Sequence, residues 1–229
     1  MPDTQIKIKL MNENSNVENE ILILSDKDIF TKIWTSPRLV FKYLNDNKYD
    51  NYVYILLFLA GITRAFDKAS LKDMGDNQSL LAVVLISIIL GGLFGWITFY
   101  IYAALMSWTG EWLDGKGDAK SLLRIISYGM LPSIVALLLL IPQIALFGNE
   151  IFQSDIDITN SGLFSIIIYY LTTFSEVVLG FWTLVLLVIG ISEVQKTSIW
   201  KSILNMIFPG LIIIGSIAII AMIISILRD

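Results

Sequence analysis

The sequence predicts an all-α fold: a polytopic membrane bundle of five transmembrane helices, with amphipathic interfacial helices ahead of the first. Three observations lead there. The 229 residues are 55% hydrophobic and only 16% charged, with a mean hydropathy of +0.72. Soluble domains carry roughly 25% charged residues, so the surplus apolar surface needs lipid against it. Apolar runs recur along the chain at lengths that suit a bilayer, and basic residues gather beside alternate connections.

Residues 1–25 are rich in Asn and Glu and read as a flexible cytoplasmic tail. No apolar core followed by a small-residue cleavage site occurs there, so no signal peptide is expected. Residues 26–50 read as an amphipathic collar. Ser25 with Asp28 forms a capping box, after which Ile29, Phe30, Ile33 and Trp34 share one side of a helix. Ser36 then serves as a second N-cap with Pro37 at the first helical position, and Leu39, Val40, Tyr43 and Leu44 make the next stripe beside Arg38 and Lys42. Such a stripe either lies on the inner leaflet, its tryptophan among the headgroups and its cations near anionic lipid, or packs on the protein's own loops.

Residues 51–229 hold the five spans. The runs are 52–63, 80–110, 125–147, 161–192 and 203–227. A hydrocarbon core about 30 Å thick needs about 20 helical residues, which the second, fourth and fifth runs supply. The first has about 12 uncharged residues and spans only if Arg64 reaches the interface. Pro132 and Pro142 each remove a backbone hydrogen bond and predict a kinked third span. Pro209-Gly210 breaks the last run, which predicts an interfacial helix at 197–208 feeding the fifth span.

Orientation follows from the cations. With the N-terminus inside, inner segments hold Arg38, Lys42, Lys48, Lys116, Lys120, Arg124, Lys196 and Lys201. Outer ones hold Arg64, Lys68, Lys72 and Arg228, and 148–160 holds none. This bias predicts a cytoplasmic N-terminus and an outer C-terminus in a cell membrane.

The chain has no cysteine and no histidine, which removes thiolate chemistry, Cys/His metal cages and histidine-based triads. A net charge of −4 gives nucleic acid no basic face to meet. "GEWLDGKG" at 110–117 satisfies seven positions of a phosphate-binding loop, but Gly117 stands where a hydroxyl should hold magnesium, and no strand precedes it. It reads instead as a turn in which Gly115 and Gly117 permit positive φ and Asp118 caps the next helix. No nucleotide, metal or other cofactor is expected.

Glu176 lies midway along the fourth span, where a charged side chain costs about 2.5–3.5 kcal/mol and so needs a partner or a proton. Thr172, Thr173 and Ser175, or the backbone near Pro132, are the expected partners, and no second carboxylate is expected beside it. "GGLFG" places Gly91 and Gly95 four apart, a spacing for close helix contact within the chain or between subunits.

The segment "IWTSPR", the stretch "GEWLDGKGDAKSLLRIISYGMLPSIVALLL" and the pair "FWTLVLLVIGISEVQKTSIWKSI" with the last span resemble the Yip1 family of five-span membrane proteins, in its bacterial branch, over residues 29–227. The resemblance implies the same orientation as the charge count. Similar eukaryotic proteins act in ER-to-Golgi traffic, associate with Rab GTPases and pair with one another. The chain lacks their Asp-Leu-Tyr-Gly-Pro-type signature, and the Rab association is not carried over.

Together these readings predict a non-enzymatic membrane-organising or adaptor protein. Its inner surface, built from Trp34, Pro37, Arg38, Lys42, Lys116, Lys120 and Trp200, meets membrane lipids, a protein partner or a second copy of the chain. The alternative is a carrier of a small solute, ion or proton that uses Glu176 and the kinked helices.

Overall fold

The computed structural model describes residues 23–156, 158 and 161–228. Residues 1–22, with nearly all of the expected tail, lie outside the described residues. The described chain is all-α. Two short helices come first, α1 (Asp26–Lys32) and α2 (Pro37–Asp46). The rest are α3 (Val53–Leu71), α4 (Leu80–Glu111), α5 (Ala119–Gly129), α6 (Leu131–Phe147), α7 (Leu163–Gln195) and α8 (Ile199–Arg228).

Among the described residues, four stretches are long and apolar enough to cross a membrane: α4, α5 with α6 as Ala119–Phe152, α7, and α8 over Ile199–Leu227. The first expected span, α3, is not among them, because its second half carries Arg64, Asp67 and Lys68. It is nonetheless the buried strut of the bundle. Leu56, Leu57, Ala60, Gly61, Ile62, Thr63 and Phe66 are enclosed, and its neighbours are α4, α5 and α6.

Small residues make that packing possible. A Cβ on Gly61 would overlap the Gly91 carbonyl oxygen, and one on Gly95 would overlap the Gly61 Cα. Gly91 and Gly95 therefore lie against α3 of the same chain. A π turn at Ser87–Gly91 leads into this contact and ends on Gly91 itself.

The third expected span starts earlier than the apolar run. Asp118 caps α5 through a 2.7 Å bond from the Ser121 amide, and the helix breaks at Met130, so Pro132 opens α6 and only Pro142 stays inside a helix. The expected interruption at Pro209-Gly210 is absent: α8 runs unbroken from Ile199 to Arg228 with Pro209 inside it. No separate interfacial helix exists at 197–208. The proline costs one backbone hydrogen bond, which an otherwise apolar helix of this length absorbs.

Two apolar cores lie at opposite ends. One joins α1 and α2 to the first half of α3 and to α5 and α7, through Ile29, Ile33, Val40, Phe41, Leu44, Leu122 and Ile125. The other joins the far end of α3 to a 3₁₀ turn at Gly148–Phe152, where Phe152 stacks on Phe66 at 6.0 Å.

Candidate functional site

The end of the bundle that carries α1 and α2 is built from charge pairs and amides. The Ser25 box is formed: the Asp28 amide donates to Ser25 Oγ at 3.2 Å, and the Ser25 amide donates to Asp28 Oδ2 at 3.2 Å. The Ser25 hydroxyl, then Lys32, holds the Asp28 carboxyl down at about 2. Ser36 precedes Pro37 but makes no side-chain capping bond, with its backbone at φ −137°, ψ 54°. Proline at N1 has already removed one orphan donor there.

The stripes on α1 and α2 are mostly consumed by the protein itself, while Leu39 stays exposed. Ile29, Ile33, Val40, Phe41 and Leu44 have no solvent exposure, and α2 packs on α5 and α7. Trp34 and Pro37 are half-buried, whereas Arg38 and Lys42 on the opposite side are exposed. Lys116 is exposed, and Trp200 keeps 75% of its surface free. Lys120 is also exposed but is spoken for, at 2.9 Å from Asp50.

Asp50 carries a second partner. Arg124, only 2% exposed, donates from Nε to Asp50 Oδ1 at 2.6 Å. Burial opposes ionisation of Asp50, yet the bonds from Arg124 and Lys120 outweigh it and hold the carboxyl below its ordinary range. Arg124 Nη1 and the neighbouring Tyr128 hydroxyl are buried without a partner among the described residues. Tyr49 and Tyr52 both donate to Asp26, which holds that carboxyl down too.

The 110–117 turn closes over Gln195. Its Oε1 accepts from the Gly117 amide at 2.8 Å, and its Nε2 donates to the Met106 carbonyl at 3.2 Å and to Asn205 Oδ1 at 3.0 Å. Asn205 Nδ2 in turn donates to the Met106 carbonyl and to Thr109 Oγ1, each at 2.9 Å. A Cβ on Gly110, Gly115 or Gly117 would collide with Gln195 or Val194. The glycines are thus required for space. The expectation that Gly115 and Gly117 supply positive φ is incorrect, since that conformation falls on Asp114 at φ 63°.

Deeper in the bundle, Glu176 is half-buried and its Oε1 accepts from Gln143 Nε2 at 3.0 Å. The other N–H of that amide goes to Thr172 Oγ1 at 2.9 Å. The partner is therefore a side chain on α6, one residue past Pro142, rather than a hydroxyl of its own helix. Near Pro132 it is Thr183 that pairs, with Ser133 Oγ at 2.8 Å. Glu176 also lines a cavity of about 210 Å³ together with Thr63, Asp67, Ser70 and Gln143. A second carboxylate does face the same space, contrary to the reading of the sequence, because α3 packs against α6 and brings Asp67 to the cavity that Glu176 lines.

Gln143, Gln195, Asn205 and Asp67 were not singled out in the sequence, and Arg124 was read only as an inner-side cation. A glutamine or asparagine inside an apolar run was the available signal for Gln143 and Asn205, since a membrane interior tolerates an amide only when it is bonded. Gln195, Asp67 and Arg124 sit outside the apolar runs as the sequence delimits them.

A family model, the Yip1 domain, matches residues 31–221 of the chain. Neither a curated protein nor a solved structure matches it.

Proposed function

The chain belongs to the Yip1 family, and from that premise we propose that it is a five-span, non-enzymatic protein that organises the inner leaflet of a bacterial cell membrane through a rigid basic rim. Its N-terminus is cytoplasmic and its C-terminus outside. The observation that carries this reading is the division of α1 and α2: most of the apolar side is locked into the core, while Arg38 and Lys42 stay outward, and Lys116 and Trp200 are exposed as well. Arg38, Lys42 and Lys116 make no ion pair among the described residues. Cations held on a fixed surface and left without carboxylates suit phosphate headgroups, each contributing about 1 kcal/mol near an anionic leaflet.

The test uses the full chain in nanodiscs, because a peptide of residues 25–46 would expose the apolar stripe that the intact protein buries. Fluorescent phosphatidylglycerol is expected to concentrate around the wild type. It is expected to fall to its bulk fraction around the triple variant Arg38→Glu, Lys42→Glu, Lys116→Glu. Equal enrichment around both rejects the proposal.

A second reading is favoured by one observation, the shared cavity of Asp67 and Glu176 beside Gln143. Two carboxylates in an intramembrane space suit a cation or proton in transit. A conductance in proteoliposomes that Glu176→Gln abolishes supports carriage, and no flux with either protein removes it.

A further inference from the structure

A cavity of about 670 Å³ is lined by α3, α4, α5, α7 and α8, within the range of about 300–1,000 Å³ that small-molecule sites occupy. Its walls are apolar, with Phe99, Leu184, Leu187, Ile191 and Met206 among them. At one end stand two opposite charges three residues apart on α3, Arg64 and Asp67. Opposite charges at this spacing commonly pair with each other. Here they do not: neither Arg64 nor Asp67 makes an ion pair or a side-chain hydrogen bond among the described residues, and the Arg64 guanidinium rests 5.8 Å above the Phe99 ring.

A charged group set among apolar helices needs a counter-charge or a strong hydrogen bond. One ligand answers both charges and the apolar walls together. We propose that the cavity holds a phospholipid whose headgroup carries a phosphate and a primary amine, with the phosphate on Arg64, the ammonium on Asp67 and an acyl chain along the apolar walls. A guanidinium binds phosphate through two parallel N–H bonds, and a carboxylate accepts readily from an ammonium. The cavity has the matching polarity. It runs from the charged half of α3 to Ile126 of α5 and Ile191 of α7, near the end that carries α1 and α2. Gly210 of α8 opens onto it with no atom within 4 Å of a built Cβ, so the wall there is set by the lack of a side chain.

The site is distinct from the basic rim and stands or falls independently of it. The experiment is native mass spectrometry on the full-length protein, stripped of lipid in detergent and offered phosphatidylethanolamine and phosphatidylglycerol with identical acyl chains. One molecule of phosphatidylethanolamine is expected to be retained, with about a tenfold preference, the size of one charge-assisted contact. Asp67→Asn abolishes the preference while a lipid is still held, and Arg64→Gln weakens retention of both lipids. Gly210→Leu fills the cavity and prevents retention of either, with the thermal midpoint unchanged, so the test survives if the Arg64 variant does not fold. Soluble phosphoethanolamine is not expected to compete. The proposal is overturned if the wild type retains no lipid or both lipids equally, if Gly210→Leu holds lipid as the wild type does, or if phosphoethanolamine displaces the lipid at equal concentration.

Discussion

Arg124 is the most consequential single charge in the protein, because it is buried at the junction of α3 and α5 and depends on Asp50 for its counter-charge. Removing one member of a buried pair strands the other, so Asp50→Asn is expected to lower stability by about 2 kcal/mol, less than the usual loss of about 3–5 kcal/mol because a third of Asp50 is exposed. Thermal unfolding in detergent measures it. Gln195 anchors by hydrogen bonds instead, and Gln195→Ala leaves the Gly117 amide and Asn205 Oδ1 without their partner and opens a hole under the 110–117 turn. A loss of about 2–4 kcal/mol is expected in the same assay. The carboxylates of this end also set an acid limit. Asp26, Asp28 and Asp50 are all held below their ordinary range when folded, so their contributions are complete above about pH 4. They are lost as the pH falls through the depressed values, which for Asp28 reaches down to about 2. The thermal midpoint should therefore hold steady from neutral pH to about pH 5 and drop below about pH 4, with a shallower drop in Asp26→Asn.

Among the elements, the α3–α4 pair depends most on the absence of side chains. Gly61, Gly91 and Gly95 bring two backbones into contact, and Gly95→Leu is expected to separate the helices and broaden the protein's elution on size exclusion, whereas Gly215→Leu on the open part of α8 should elute as the wild type does. The spacing of Gly91 and Gly95 was legible in the sequence, but their partner Gly61 was not, because the tertiary packing and not the spacing decides which helix meets them. The helical segments of α1 and α2 were legible for a similar reason: Ser25, Asp28 and Pro37 mark their starts, and their apolar stripes follow a helical period. What the stripes cover was not legible, since a periodic stripe is the same whether it meets lipid or the Phe41-lined core. The Pro209-Gly210 dipeptide misled for a further reason. A proline followed by glycine ends most helices in water, where the freed carbonyl and the flexible backbone are both solvated, but in an apolar run the cost of exposing more backbone keeps α8 continuous.

At the scale of the whole molecule, composition alone pointed to an all-α membrane bundle, and four of the five apolar runs are helices long enough to cross. The Glu176 cavity was only half legible. The carboxylate stands out in its span, yet Gln143 and Asp67 join it from α6 and α3 through the tertiary packing, and nothing in the linear spacing connects positions so far apart. The central claim is that the end bearing α1, α2 and the exposed cations faces the cytoplasm. The sequence has no cysteine, so single cysteines report on it without background. Lys42→Cys lies on the α2 face of the basic end, and Ser154→Cys lies at the opposite end, both exposed. In intact cells, a membrane-impermeant maleimide should label Ser154→Cys and leave Lys42→Cys untouched until the cells are permeabilised. Labelling of Lys42→Cys in intact cells, with Ser154→Cys protected, would contradict the account.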